Sequence, residues 1–222
     1  MYTETLPAER STPLRKNGVK ELKITLSQEA LEKIFLINGS TFITGNLSTS
    51  DLIVKSNNYY MIINNDTAGI KIIYNKDISK HGIVYDPYKY EDSDKVNYTI
   101  EDMKKLFEVP EGYVDTLPKW YSFKFTYPEY NLIFVRPELG ISIQTHDLRN
   151  EYWEILDGKP IIINGNDVDY FVKSGSRFKI PKKTYHSVIN PNLDKFVILK
   201  ERWDGNFDEE DITRVYNPNH YK

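Results

Sequence analysis

Along this chain, short apolar runs are broken at nearly regular intervals by Asn, Gly, Asp and Ser clusters, and few segments keep a helical period. LKITLS (22–27), STFIT (40–44), DLIVKS (51–56), YYMIIN (59–64) and GIKIIYN (69–75) alternate or cluster apolar residues over lengths that suit strands. Two segments are predicted as helices. Ser27 stands where it can cap QEALEKIF (28–35), and Thr99 with Asp102 makes a capping-box pattern ahead of IEDMKKLFEV (100–109), which Pro110 and Gly112 stop. Beyond residue 112 the strand signals become denser: WYSFKFTY (120–127), NLIFVR (131–136), YWEILD (152–157), KPIIIN (159–164), DYFVKS (169–174), RFKIP (177–181), HSVIN (186–190) and KFVILKERW (195–203). Eight short strands at roughly ten-residue spacing predict an antiparallel barrel or jelly roll. Residues 1–20 show no apolar periodicity and are expected to form an extended arm. The expected organisation is therefore an arm over 1–20, a smaller β-rich α+β region over 21–112, and a β-barrel domain over 113–222.

Composition narrows the function classes. The chain is 40% hydrophobic and 27% charged, a globular balance, and its net charge of −3 comes from interspersed signs, so no basic stripe for nucleic acid is expected. No apolar run approaches a membrane span, and the opening MYTETLPAERSTPLRKNG is polar where a secretory signal would be apolar, which predicts a cytoplasmic protein without membrane contact. With no cysteine, any metal must be held by histidines and carboxylates. The sequons at Asn38, Asn46, Asn65 and Asn97 carry little weight in a chain rich in Asn. His81 and His220 are expected to be solvated.

Two spaced patterns carry the chemistry. Gly140, five residues, His146, one residue, Leu148, two residues, Glu151, six residues, Gly158 form the first. Gly175, five residues, Pro181, then His186, three residues, Asn190 form the second, with sixteen residues between Gly158 and Gly175. Together they resemble the paired signature motifs of the cupins, which implies a jelly-roll barrel with the motif residues pointing inward toward one metal ion. SIQTHDLRNEYWEILDG (142–158), IPKKTYHSVINP (180–191) and WDGNFDEEDITRVY (203–216) look more narrowly like the cupin domain of type II mannose-6-phosphate isomerases, over roughly residues 118–216. That domain is often fused behind a mannose-1-phosphate guanylyltransferase, and nothing in residues 1–110 resembles the latter.

The resemblance implies specific residues. His146, Glu151 and His186 stand where the family holds a divalent ion such as Zn²⁺, with Glu151 and His186 as catalytic candidates. Gln144, Arg149, Tyr152 and Arg214 are the substrate-binding candidates, Tyr152 standing where the family has a histidine. Leu148 replaces a usual histidine ligand, and Asp147 also departs from a histidine-rich motif. Aldose–ketose isomerisation passes through an enediol, so it needs a base, electrophilic help for the oxyanion and cations for the phosphate; the base is the role this sequence leaves without a second carboxylate. Without a metal, Glu151 is expected to pair with Arg149 or Lys183, Trp153 to be core, and Arg214 to bridge Glu210 or Asp211. The sequence-level expectation is a divergent cupin that recognises a sugar or sugar phosphate, with isomerase activity weak or lost. A second expectation is a non-catalytic component of a homo-oligomer or protein assembly, such as a virus particle, using the barrel as scaffold.

Overall fold

A computed structural model describes residues 1–219 other than 46, 207 and 209, so the sequon at Asn46 and the expectation for His220 fall outside the described residues. The chain divides into two compact units, Met1–Tyr88 with Asn166–Val168, and Lys89–Gly165 with Asp169–Lys222. The boundary thus lies at residues 88/89 rather than at 112/113. Residues 1–20 are not an arm. Tyr2–Leu6 pairs in register with Ile70–Tyr74, and Leu14–Lys16 pairs with Tyr59–Asn64 and Gly82–Tyr85. Partners more than forty residues away supply the hydrogen bonds, which is why these strands leave no local hydrophobic pattern.

In the first unit, Tyr2–Leu6, Ile70–Tyr74, Leu22–Leu26 and Asp51–Val54 lie in that order in an antiparallel sheet. A second sheet runs through Thr41–Thr44, Ile34–Asn38, Tyr59–Asn64, Leu14–Lys16 and Gly82–Tyr85, and Asp167 pairs with Thr41 at its edge. Leu22, Ile24, Leu36, Ile62 and Ile72 bury the space between the sheets. The helix expected over residues 28–35 is corrected: only Gln28–Ala30 forms a single 3₁₀ turn, and Ser27 makes no side-chain cap. Ile34 and Phe35 belong instead to a strand paired on both sides, where tertiary burial overrides local helix propensity. His81 is half-buried, with Nδ1 2.8 Å from the Tyr60 hydroxyl, and burial holds it below the usual histidine range, so it is not a solvated residue.

The second unit is the barrel that the motifs implied. One sheet has the order Asp115–Pro118, Ser122–Tyr127, Tyr130–Val135, Val197–Gly205, Arg149–Asp157, Arg177–Ile180; the facing strands are Thr213–Tyr216, Ile143–Thr145, His186–Ile189 and Ile161–Asn164, all pairs antiparallel. Trp153, Ile155, Ile162, Val188 and Leu199 fill the interior. DYFVKS is not a strand, since pairing ends at Asp169 and Phe171 takes a positive φ. The capping box forms as expected, with Thr99 accepting from the Asp102 amide and opening the helix Ile100–Leu106. Met103 on that helix, with Phe107 and Tyr113 beyond it, packs against Phe123, Phe125 and Phe134, covering part of the barrel's outer face.

Gly158 turns the chain at φ +86°, and a Cβ there would lie 2.9 Å from the Phe196 carbonyl, so the first motif closes on glycine for steric reasons. Gly205 is the more telling case. It pairs with Arg149, has φ +97°, and a Cβ would come within 2.5 Å of the Leu148 carbonyl. Gly205→Ala is therefore expected to cost about 1–3 kcal/mol in backbone strain alone, a fall of roughly 2–12 °C in thermal midpoint for a chain of this size. An unchanged melting curve would show that the 146–149 turn yields without cost.

Candidate functional site

Strand periodicity builds the site. Along Arg149–Asp157 the side chains of Arg149, Glu151, Trp153 and Ile155 are buried, while Asn150, Tyr152, Glu154 and Leu156 alternate toward the outer face. The inward set meets His186, on the strand His186–Ile189, and His146, which follows Ile143–Thr145. His146 Nε2 lies 3.0 Å from Glu151 Oε1 and His186 Nε2 lies 3.6 Å from Oε2. The imidazoles are 5.0 Å apart between centroids, and Trp153 meets His186 edge to face.

Backbone carbonyls set the tautomers. His146 Nδ1 faces the Asp211 carbonyl and His186 Nδ1 lies 2.8 Å from that of Thr184. A carbonyl only accepts, so both Nδ1 atoms carry the proton and both Nε2 lone pairs turn toward Glu151. Burial holds His186 below the usual histidine range, which keeps it neutral. For Glu151, burial acts to raise the carboxyl, but the close His146 contact and the Arg149 guanidinium beside it outweigh burial, so the group stays ionised.

One ligand atom from each of His146, Glu151 and His186 falls within 4.8 Å of the others. Two imidazole lone pairs and a carboxylate on one centre fit a divalent ion, and zinc tolerates three protein ligands with open positions. Arg149 qualifies that fit. Only 4% exposed, its guanidinium donates from Nε to Glu151 Oε1 at 2.9 Å, from Nη1 to the Asp208 carbonyl at 2.8 Å, and from Nη2 toward His146 Nε2 at 3.1 Å. The Gln144 amide nitrogen lies 3.4 and 3.5 Å from the two Nε2 atoms. The chain thus supplies its own donors to the atoms that would hold an ion, and an ion would enter only as Arg149 withdraws.

The other sequence-derived residues are placed as follows. Tyr152 is outside the barrel: its side chain leaves on the opposite face from Glu151, and its hydroxyl donates to Asp204 Oδ2 at 2.7 Å. The alternation of the strand excludes it from the interior. Leu148 is 43% exposed, so the position of the lost ligand does not line the site. Arg214 is exposed and pairs in register with Gln144, which puts it on the same face of the sheet at the rim; the Asp211 carboxylate accepts instead from the amides of Asp147 and Leu148. Lys183 does not pair with Glu151, and its amide donates to the His146 carbonyl. Trp153 is core, as expected, and also polar at its tip. Its indole N–H is shared between Glu151 Oε2 at 3.1 Å and Glu201 Oε2 at 3.3 Å.

Glu201 is the residue that motif reasoning missed. It stands in register with both Asn131 and Trp153, accepts from Asn131 Nδ2 at 2.7 Å, and is pushed up to about 7 by burial and by the Glu151 charge. A carboxyl with that proton affinity is suited to exchange a proton near neutrality. Its one sequence signal was a glutamate alternating in step with Val197, Leu199 and Trp203, on an otherwise apolar face of its strand. The acidic segment that includes Asp208 and Asp211 has a structural task, clasping the 146–149 turn and the Arg149 guanidinium.

No helix among the described residues is long and apolar enough to cross a membrane. No curated protein matches this sequence. Among solved structures, similar chains include a cupin-2 domain protein from Rhodospirillum rubrum (16% identity over 41% of this chain and 68% of that one, TM-score 0.36) and the capsular polysaccharide assembling protein CapF from Staphylococcus aureus (19%, 51% and 34%, TM-score 0.37). A variant of Bacillus subtilis oxalate decarboxylase OxdC is similar over 96% of this chain and 70% of its own, at 10% identity and a TM-score of 0.38. The present chain spans only about a third of CapF. The family described as Mannose-6-phosphate isomerase C-terminal matches residues 101–217, just over half of the chain and all of the motif residues above, and the protein belongs to that cupin family.

Proposed function

We propose that the second unit recognises a sugar or sugar phosphate at the mouth of its barrel, with isomerisation weak or lost. The observation that carries this reading is the inward cluster of Gln144, His146, Arg149, Glu151 and His186 in a barrel of this family. A sugar offers hydroxyls as both donors and acceptors, and the half-buried Gln144 amide is the member of the cluster nearest to solvent. Arg214, exposed and in register with Gln144, is the cation placed to meet a phosphate; the Arg149 fork is engaged inside. A divalent ion on His146, Glu151 and His186 would supply electrophilic polarisation of sugar oxygens. The residues themselves orient and hold: Asp211 and Thr184 fix the imidazoles, Trp153 orients Glu151, and Arg149 neutralises it.

Calorimetric titration tests the reading. Mannose 6-phosphate is expected to bind saturably, mannose much more weakly, and Arg214→Ala to lose about tenfold or more in affinity, the typical contribution of a charge-assisted hydrogen bond. Equal binding of mannose and its phosphate would remove Arg214 from the site. No saturable binding of either would favour the scaffold reading.

A further inference from the structure

The outer face of the barrel sheet is divided in two. The segment around the helix Ile100–Leu106 packs over the strands Ser122–Tyr127 and Tyr130–Val135, while the outer face of Arg149–Asp157 and its two neighbours forms a groove of about 370 Å³. Register defines its lining: Tyr152 stands between Lys179 and Arg202, and Glu154 stands between Arg177 and Lys200. The two strands that flank the centre put the cations of each row ~10 Å apart. Four cations thus surround one lining carboxylate on a chain whose net charge is −3.

Stability alone does not call for this arrangement. Cross-strand charges contribute when the signs alternate and cost when they do not, and Glu154 offsets one cation directly, with Arg177 at 3.0 Å. We propose that this groove binds an acidic saccharide, separately from the barrel interior. Arg202, Lys179 and Lys200 would meet its carboxylate, sulfate or phosphate groups, and Tyr152, 36% exposed with its hydroxyl held by Asp204 and the Lys179 ammonium 6.0 Å from its ring centroid, would flank a sugar ring. Two features favour a saccharide over a nucleic acid. Glu154 and Asp204 accept hydrogen bonds that ring hydroxyls can donate and that a phosphodiester backbone cannot, and Tyr152 is a single platform where strand binding uses a succession of stacking rings.

The test uses the full chain and three probes measured by fluorescence or calorimetry: an oligogalacturonate, a neutral malto-oligosaccharide of the same length, and a thymidine oligonucleotide. The oligogalacturonate is expected to bind, to weaken as salt rises, and to lose about tenfold or more in affinity in the double variant Lys179→Glu, Arg202→Glu, because each contact is a charge-assisted hydrogen bond. Both positions are exposed, so the thermal midpoint should stay within the small range of surface substitutions. Equal binding of the neutral probe, tighter binding of the oligonucleotide, no binding, or binding unaffected by the double variant would each overturn the proposal. If charge reversal disturbs folding, Lys179→Gln with Arg202→Gln is read in the same way.

Discussion

Replacing Arg149 with methionine is expected to lower the thermal midpoint sharply and to make it depend on divalent metal. The guanidinium is buried against Glu151, which is 1% exposed, and removing one partner of such a pair leaves a carboxylate with no compensating charge at a cost of about 3–5 kcal/mol. At 222 residues this corresponds to a fall of roughly 6–20 °C. The same change exposes Glu151 Oε1 and His146 Nε2, the two ligand atoms to which Arg149 donates. Zn²⁺ should therefore bind the variant more tightly than the native chain and recover part of the loss, about 2.7 kcal/mol at a hundredfold excess over its dissociation constant. Arg149→Met combined with Glu151→Gln separates the terms: it removes the uncompensated charge, so it should be less damaging than Arg149→Met alone and should not respond to zinc. Thermal melts with and without zinc, together with elemental analysis, check all three. An identical zinc response in the native chain and in Arg149→Met would show that the guanidinium does not stand in the ion's way.

Turnover of mannose 6-phosphate in a coupled assay is expected to be absent or lower by about 10²–10⁴-fold than a complete general acid–base site would give. Three features point the same way. Glu151 is tied to Arg149 and so is a poor base; Leu148 faces solvent and brings no ligand to the site; and Tyr152, on the far face of its strand, brings no acid or base into the interior. Glu201 is the carboxyl nearest to filling the gap, but Trp153 holds it behind Glu151 through a shared indole N–H. Robust turnover that vanishes in His146→Ala would overturn this expectation and restore the isomerase reading. In that event Glu201→Gln would be the variant to examine next, since it conserves shape and removes the titrating proton.

Seven strands of the barrel and the capped helix at Ile100–Leu106 were legible in the sequence, because they rest on local periodicity and a capping box, and the convergence of His146, Glu151 and His186 followed from the resemblance of the two motifs to the cupins. The outward placement of Tyr152 was legible too: once Glu151 is taken as inward, a period of two puts its neighbour outside. Other features were decided only by the tertiary structure. Tyr2–Leu6 and Leu14–Lys16 are strands because distant partners satisfy their backbone, and the helix expected at 28–35 gives way because Ile34 and Phe35 are buried between two strands. Arg149 is an internal counter-ion rather than a free phosphate clamp because the Asp208 carbonyl, fifty-nine residues away, meets it beside Glu151. Glu201 enters the site through its register with Trp153, forty-eight residues earlier in the chain. Residue type and spacing determine which side chains can do chemistry; which partner each one is given depends on hydrogen bonds and burial closed over long sequence separations, and these exist only once the barrel has formed.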